Sequence, residues 1–389
     1  MMRFLGFSTD GRNLWIIGAI ILVILLAIIL RKFVGYFEVQ ARDVSVSSQN
    51  NTQSDVEGGG NVEVITTQKM CSICCSVGVI RTYALEELKM ATRDFRIRIG
   101  VGATSFVYLA ELGDGRFGAV KRVMEERGGS KKIFLDEVSV LLRICHPNLV
   151  GLLGFCLEKG EQLLLLEYVP NKSLFDRMHT HYGQSMEILS WSNRLSIALD
   201  IARALDYLHS QADPPIIHRD IKSSNVLLID NNHAKLADFG LCKLGHNHDR
   251  STNGSQTPTN IVKGSMGYVD ISYLKTGLVS PKSDVYSFGV LILELITGLK
   301  STQGSDTLAD WTQDWRKEND IDILVQMLDP KLNGNANLEQ VKVLVDIANS
   351  ALVENSEARP DMSNIVDGIL SCMETQSHLD ELTIHINCK

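Results

Sequence analysis

Two carboxylates and an amide stand at fixed intervals in the run IIHRDIKSSNVLLIDNNHAKLADFGL: Asp220, Asn225 five residues later, and Asp238 eighteen residues after Asp220. Hard oxygen ligands of this kind suit a divalent cation carrying a nucleotide, and a carboxylate beside them can accept the proton of a substrate hydroxyl. Surface turns also collect Asp and Asn, but HRDxxxxN followed by DFG at this separation is too specific a conjunction for turn composition to produce. Upstream, in I-G-V-G-A-T-S-F-V, Gly100 and Gly102 would let backbone amides approach phosphates closely, and Ser105 stands where a third glycine would complete GxGxxG. Glycine turns between strands are common, so this signal is weak by itself. Fourteen residues after Val107 comes Lys121, closing the apolar pair Ala119-Val120. Sixteen residues further, Glu137 lies on a predicted amphipathic helix, placed to pair with Lys121 and aim its ammonium at phosphates. Each element is modest, and their order carries the weight.

These residues need a scaffold, and the pattern supplies one. From Tyr83, ALEELKMATRDF has helical spacing. Short β-like runs with Gly-rich turns follow in VYLAELGDGRFGAVKRV, then a helical FLDEVSVLLRI and a strand LLLLEYV at 163 to 169. This predicts a small, mostly β lobe. After Pro170-Asn171 the periods lengthen into WSNRLSIALDIARALDYLHS, KSDVYSFGVLILELITG and VKVLVDIANSALV, a larger helical lobe. Residues 245–262 form a polar loop carrying Ser251, Thr252, Ser255, Thr257 and Thr259, and residues 375–389 read as a loose tail.

The 389 residues, 44% hydrophobic and 22% charged, have room for one large two-lobed domain and extras. A formal net charge of -8 argues against a general nucleic-acid binder, which needs a basic surface. Leu14 to Leu30 is an uncharged apolar run of 17 residues between Arg12 and Arg31-Lys32, the lower limit of a bilayer span. Flanking residues extend it, giving an anchor over 14–34. Residues 35–80, rich in Ser, Asn, Gln, Thr and Gly, read as a flexible linker. Eight cysteines show no disulfide framework and suit a reducing compartment. Cys71, Cys74 and Cys75 lack the partners of a zinc site; they are candidates for palmitoylation, with inert thiols the simpler reading.

With these motifs in hand, residues 81–374 resemble a eukaryotic protein kinase domain, of the plant receptor-like type. HPNLVGLLGFC, LLEYVPNKSL, KSDVYSFGVLILELITG and SEARPDM all match that pattern. The resemblance implies an α+β, bilobal kinase fold, with a β-rich N-lobe over 81–169 and an α-rich C-lobe over 170–374, behind a single transmembrane helix. It further implies a nucleotide site for ATP and Mg²⁺. Gly100, Val101, Gly102, Val107, Ala119, Glu167 and Val169 would line it, Lys121 braced by Glu137 would hold the α and β phosphates, and Asn225 and Asp238 would hold the metal. Asp220 would accept the substrate hydroxyl's proton, and Lys222 would approach the transferred phosphate, as in serine/threonine rather than tyrosine kinases. Arg219 would be ordered by a phosphate on the 251–259 loop. Because ATP is cytosolic, the kinase would face the cytosol, leaving about 13 residues outside and a sensor borrowed from a receptor or co-receptor with its own ectodomain. An ATP-binding scaffold without activity, or a small-molecule phosphotransferase, would be the competing readings.

One stretch departs from the family. The segment after the activation loop ordinarily ends in Ala-Pro-Glu or Asp-Pro-Glu, whose glutamate pairs with a buried arginine. Here it reads Asp270-Ile271-Ser272, while Arg359 of EARPDM matches the arginine. Ser272 has no charge to offer, so Asp270 is the expected substitute, reaching the same side if the backbone is extended.

Overall fold

The computed structural model describes residues 80–113, 115–180, 187–245, 257–259, 261–318 and 321–387. The apolar run at 14–30, the linker as far as residue 79 and the cysteines at 71, 74 and 75 lie outside them. Among the described residues no helix is long and apolar enough to cross a membrane.

The N-terminal part is a six-stranded sheet in the order β1-β5-β6-β4-β3-β2. Its strands are β1 (Arg81–Thr82), β2 (Arg98–Val101), β3 (Ser105–Glu111), β4 (Phe117–Val123), β5 (Leu152–Cys156) and β6 (Gln162–Glu167). All neighbours are antiparallel except β1, which runs parallel to β5 with Arg81 opposite Gly154. The approach of β1 depends on that glycine, since a Cβ there would overlap the Arg81 carbonyl oxygen and the Tyr83 ring. β4 is covered on both faces, so Gly118, Ala119, Val120 and Lys121 are buried in succession, an apolar strand with one charge in it.

Two helices pack on this sheet. Glu87 reaches back to the Ala84 amide at 2.8 Å to start α1 (Leu85–Thr92), whose Leu85 and Leu88 fill the small core with Val120, Leu163 and Leu165. Ser130 caps α2 (Lys131–Leu141), accepting from the Ile133 amide at 3.3 Å. The buried face of α2 is Phe134, Glu137, Val138, Val140 and Leu141, so its carboxylate points inward by the same periodicity that buries its apolar neighbours.

The helical part begins with α3 (Leu174–His179) and α4 (Trp191–Asp206), each opened by a serine cap with its reciprocal N3 partner. The short strands β7 (Ile216–Ile217), β8 (Val226–Leu228) and β9 (Ala234–Leu236) follow, then β10 (Lys243–Leu244) back on β7 and β11 (Thr257–Pro258). Helix α5 (Ile271–Thr276), β12 (Leu278–Val279) paired with β11, and α6 (Pro281–Thr297) come next. Proline at the first turn and Gly298 in the left-handed region (φ 68°) bound α6, which is buried from Ser283 to Thr297. It forms the centre of the large core with α4, α7 (Leu338–Ala351) and α8 (Met362–Asn387). The backbone of α8 continues through 375–387, the stretch read above as a loose tail; LDELTIHIN holds no glycine or proline to stop a helix.

Candidate active site

The loop between β7 and β8 carries Asp220, Lys222 and Asn225, and the turn after β9 carries Asp238. Their backbones are set from below. The Asp284 carboxylate, buried in the first turn of α6, accepts the amides of His218 and Arg219 at 2.8 Å each and His209 Nε2 at 2.8 Å. Burial pushes that carboxyl up, but these donors hold it below the ordinary aspartate value. Arg219 and Asp238 then adopt positive φ of 65° and 66°, a region that side chains visit only where surroundings impose it.

Two charge clusters result. In the first, Lys121 Nζ donates to Glu137 Oε1 at 2.7 Å and to Asp238 Oδ1 at 2.7 Å, joining β4, α2 and the turn after β9. Burial pushes the ammonium toward its neutral form, but the Asp238 and Glu137 carboxylates outweigh it and hold its pKa above the ordinary lysine value. The Lys121 charge in turn holds Asp238 down at about 2. Glu137 is lifted by burial, which its share of the lysine only partly offsets. Gly240 lies against the trio, where a Cβ would stand 3.2 Å from Glu137 Oε2 and 3.6 Å from Lys121 Nζ.

In the second cluster, Asp220 Oδ1 accepts from Ser265 Oγ at 2.7 Å and Oδ2 from Lys222 Nζ at 2.8 Å and Asn225 Nδ2 at 3.0 Å. Lys222 also reaches Ser265 Oγ at 2.9 Å. The carboxylate is thus held in one orientation beside a fixed ammonium, the arrangement needed to align an incoming hydroxyl. Asn225 Nδ2 donates to the Asp220 carbonyl as well, at 2.8 Å, so the amide oxygen is the atom with coordinating capacity left.

The family model for the protein kinase domain matches residues 94–369. The chain belongs to the protein kinase family. It is 38% identical over 305 residues to the calcium/calmodulin-regulated receptor-like kinase 2 of Arabidopsis thaliana, covering 78% of this chain and 66% of that protein. With the receptor-like serine/threonine-protein kinase NCRK of Arabidopsis thaliana it shares 37% over 302 residues, 74% of this chain and 53% of that one. The kinase therefore spans between 53% and 66% of the length of these relatives, and its relatives make it one of the plant receptor-like kind.

Kinase domains use ATP and a divalent metal, and the donor set here fits both: an ionised Asp238, the Asn225 amide oxygen, and a protonated Lys121. Gly100 and Val101 lie in β2 and Gly102 just beyond it, with Gly102 donating to the Ser105 carbonyl at 2.8 Å. Val107 in β3 faces Lys121 across the ladder, and Ala119 pairs with Leu166. Val169 is buried, whereas the Glu167 carboxylate is engaged by Lys235 Nζ at 2.9 Å and the Gly151 amide at 3.3 Å. Both contacts fall on Oε2, and the Glu167 amide donates to the Gly151 carbonyl at 2.9 Å. Ser105, at the tip of the glycine loop by sequence spacing, instead opens β3 as a buried residue whose hydroxyl fills the space beside Gly102.

The joint at 270–272 is rebuilt. Arg359 Nη1 and Nη2 donate to Asp270 Oδ2 and Oδ1 at 2.7 Å each, a two-pronged pair with both side chains essentially unexposed. Asp270 reaches the arginine as the N-cap of α5, its Oδ1 also accepting the Ser272 amide at 2.9 Å, and not from an extended strand. Among the proposed loop hydroxyls, Ser251, Thr252 and Ser255 lie outside the described residues, while Thr259 is half-buried and meets the Gly277 carbonyl and Tyr273 Oη at 3.2 Å each. Sequence reasoning missed Ser265 and gave Asp284 no role. Ser265 stands just before GYVDIS, and Asp284 lies within the KSDVYSFG motif, so position relative to a motif was the available signal.

Proposed function

We propose that this chain is a membrane-anchored serine/threonine protein kinase that transfers the γ-phosphate of ATP to protein hydroxyls in receptor-like signalling. The observation that carries the reading is the Lys121 ammonium, held at 2.7 Å by Glu137 and Asp238 together, which joins the phosphate-binding lysine, its brace and a metal ligand in one contact set. In this reading Gly100, Val101 and Gly102 cover the phosphates, while Val107, Ala119, Glu167 and Val169 surround the base. Lys121 holds the α and β phosphates, and Asn225 and Asp238 hold Mg²⁺, which when bound neutralises charge on the phosphate oxygens. Asp220 orients the acceptor hydroxyl and takes its proton, and Lys222, steadied by Ser265, faces the transferred group.

The run at 14–30 anchors the chain in the plasma membrane with the kinase in the cytosol, beside a receptor or co-receptor that carries an ectodomain. Arg219, whose guanidinium donates to the Leu241 carbonyl at 2.5 Å, is the group that a phosphate on the 251–259 loop engages. The test is phosphate incorporation from Mg²⁺-ATP by the purified full chain beside Asp220→Asn and Asp238→Asn, with sites mapped by mass spectrometry. Incorporation on Ser or Thr that falls by at least about 100-fold in both variants is the expected result. ATP binding without incorporation by the folded wild-type protein would replace this reading with that of an ATP-binding scaffold.

A further inference from the structure

A cavity of about 240 Å³ opens between the short helix Gln313–Lys317, the helix Ile321–Met327 and α7. None of these elements carries a residue of the clusters at Lys121 and Asp220. Leu324 and Val345 line its buried side, and its polar wall holds three cations, Arg316, Lys317 and Lys342. Arg316 is partly buried and fixed by three bonds: Nε to Thr312 Oγ1 at 3.0 Å, Nη1 to Asn349 Oδ1 at 2.5 Å and Nη2 to the Ala309 carbonyl at 2.8 Å. Asn349 Nδ2 donates back to the Arg316 carbonyl at 3.1 Å, which ties the guanidinium to α7. All of these acceptors are neutral, and among the described residues no carboxylate pairs with any of the three cations.

The cavity therefore contains charge that the fold has positioned and left without a counter-charge. Burial lowers the Arg316 pKa from the ordinary arginine value, as expected of a guanidinium that loses water without gaining an anion. A guanidinium has five N–H donors; three are used here, and one remains on each Nη. That fork, with two lysine ammoniums beside it, matches a tetrahedral oxyanion, which accepts through several oxygens at once. The exposed carboxylates of Glu318 and Asp346 also line the cavity, which leaves one net positive charge on its wall. One phosphate group suits that balance, whereas a polyanion such as a nucleic acid or an anionic bilayer is repelled by the two carboxylates. Apolar surface accompanies the charge. Trp311, edge-to-face on Trp315 at 4.6 Å, and Val325, the neighbour of Leu324, are both exposed. A free phosphate makes no use of such groups, but the residues flanking a phosphorylated side chain do.

We propose that Arg316, Lys317 and Lys342 form a binding site for a phosphorylated serine or threonine on a protein segment whose apolar neighbours rest on Trp311 and Val325. The site is independent of the kinase reading, because its binding is measured without ATP. The probe is a peptide library with a fixed phosphoserine flanked by degenerate positions, offered to the purified full chain beside the same library carrying serine. The best-retained peptide is then titrated by calorimetry. The phosphoserine library is retained with apolar residues selected beside the phosphate, the serine library is not, and Kd rises about 5- to 20-fold in Lys317→Met and in Lys342→Met. Both variants keep a melting temperature within about 1 °C of the wild type, since neither lysine has a partner to lose. Lys222→Met, which alters the Asp220 cluster, leaves Kd unchanged and so separates this site from the active site. Equal retention of the two libraries, an unchanged Kd in both cavity variants, or a matching rise in Lys222→Met would overturn the proposal. Binding of inorganic phosphate with no retention of the phosphoserine library would mean an adventitious ion only, and would overturn it as well.

Discussion

Replacing Asp270 by alanine strips a buried arginine of its carboxylate, and the surroundings allow the cost to be worked out. Arg359 has 0% side-chain exposure and Asp270 1%, so water does not reach the guanidinium to replace the lost charge. The Val353 and Lys282 carbonyls at 2.9 Å, the Glu354 carbonyl at 3.4 Å and the Tyr286 face at 5.1 Å remain, but these are dipoles and a ring quadrupole, not a counter-charge. Breaking a buried pair from one side costs about 3–5 kcal/mol, and losing the cap on the Ser272 amide adds about 1 kcal/mol. The remaining acceptors favour the lower half of that range, about 4 kcal/mol in total. For a domain of this length that corresponds to a melting temperature lower by roughly 6–10 °C. The assay is thermal unfolding of the wild type, Asp270→Ala, Arg359→Met and the double variant, with Ser272→Ala as a control expected within about 0.5 kcal/mol of the wild type. The double variant should recover much of the loss, since an uncharged cavity tolerates methionine where an unpaired arginine is penalised. A melting temperature for Asp270→Ala within about 1 °C of the wild type, or strictly additive single effects, would refute the reasoning.

Two further outcomes follow from the fold and the site. His218 is buried as a neutral ring, its Nδ1 accepting the Asp220 amide at 3.3 Å and its Nε2 facing the Ala237 carbonyl at 3.2 Å, and burial holds its pKa below the ordinary histidine value. Its contribution to stability is therefore complete above the unfolded value near ~6.5 and is lost as pH falls through the lower folded value, so the melting temperature should drop between pH ~7 and ~5, less steeply in His218→Gln; equal slopes would exclude this cause. Gly154→Val should release β1 by overlap with the Arg81 carbonyl and the Tyr83 ring, read as faster hydrogen exchange at residues 80–83 and new trypsin cleavage after Arg81, and an unchanged digest would count against that packing.

The chemistry was legible where covalent spacing determines geometry. Asp220 and Asn225 are five residues apart in one loop, and the structure bonds them directly. The β-rich and helical parts were legible from run length and helical spacing: Lys121 closes the apolar pair Ala119-Val120 in a strand buried without a break there, and the period of α2 puts Glu137 on its inward face. That these two meet Asp238, 117 residues from Lys121, follows only from the packing of α2 on the sheet and of the turn after β9 beneath it. The Asp270–Arg359 pair shows the boundary clearly. Charge conservation across a buried joint pointed to Asp270, but its route to the arginine, 89 residues away, came from a helix cap that no spacing rule specifies. Ser265 was invisible to pattern reading, because a serine in a loop acquires a role only from what folding brings against it. Residue types and short separations thus determined which reaction this chain is equipped for, while tertiary packing decided which groups hold the reacting residues still, since desolvation and contact between distant segments exist only once the core has formed.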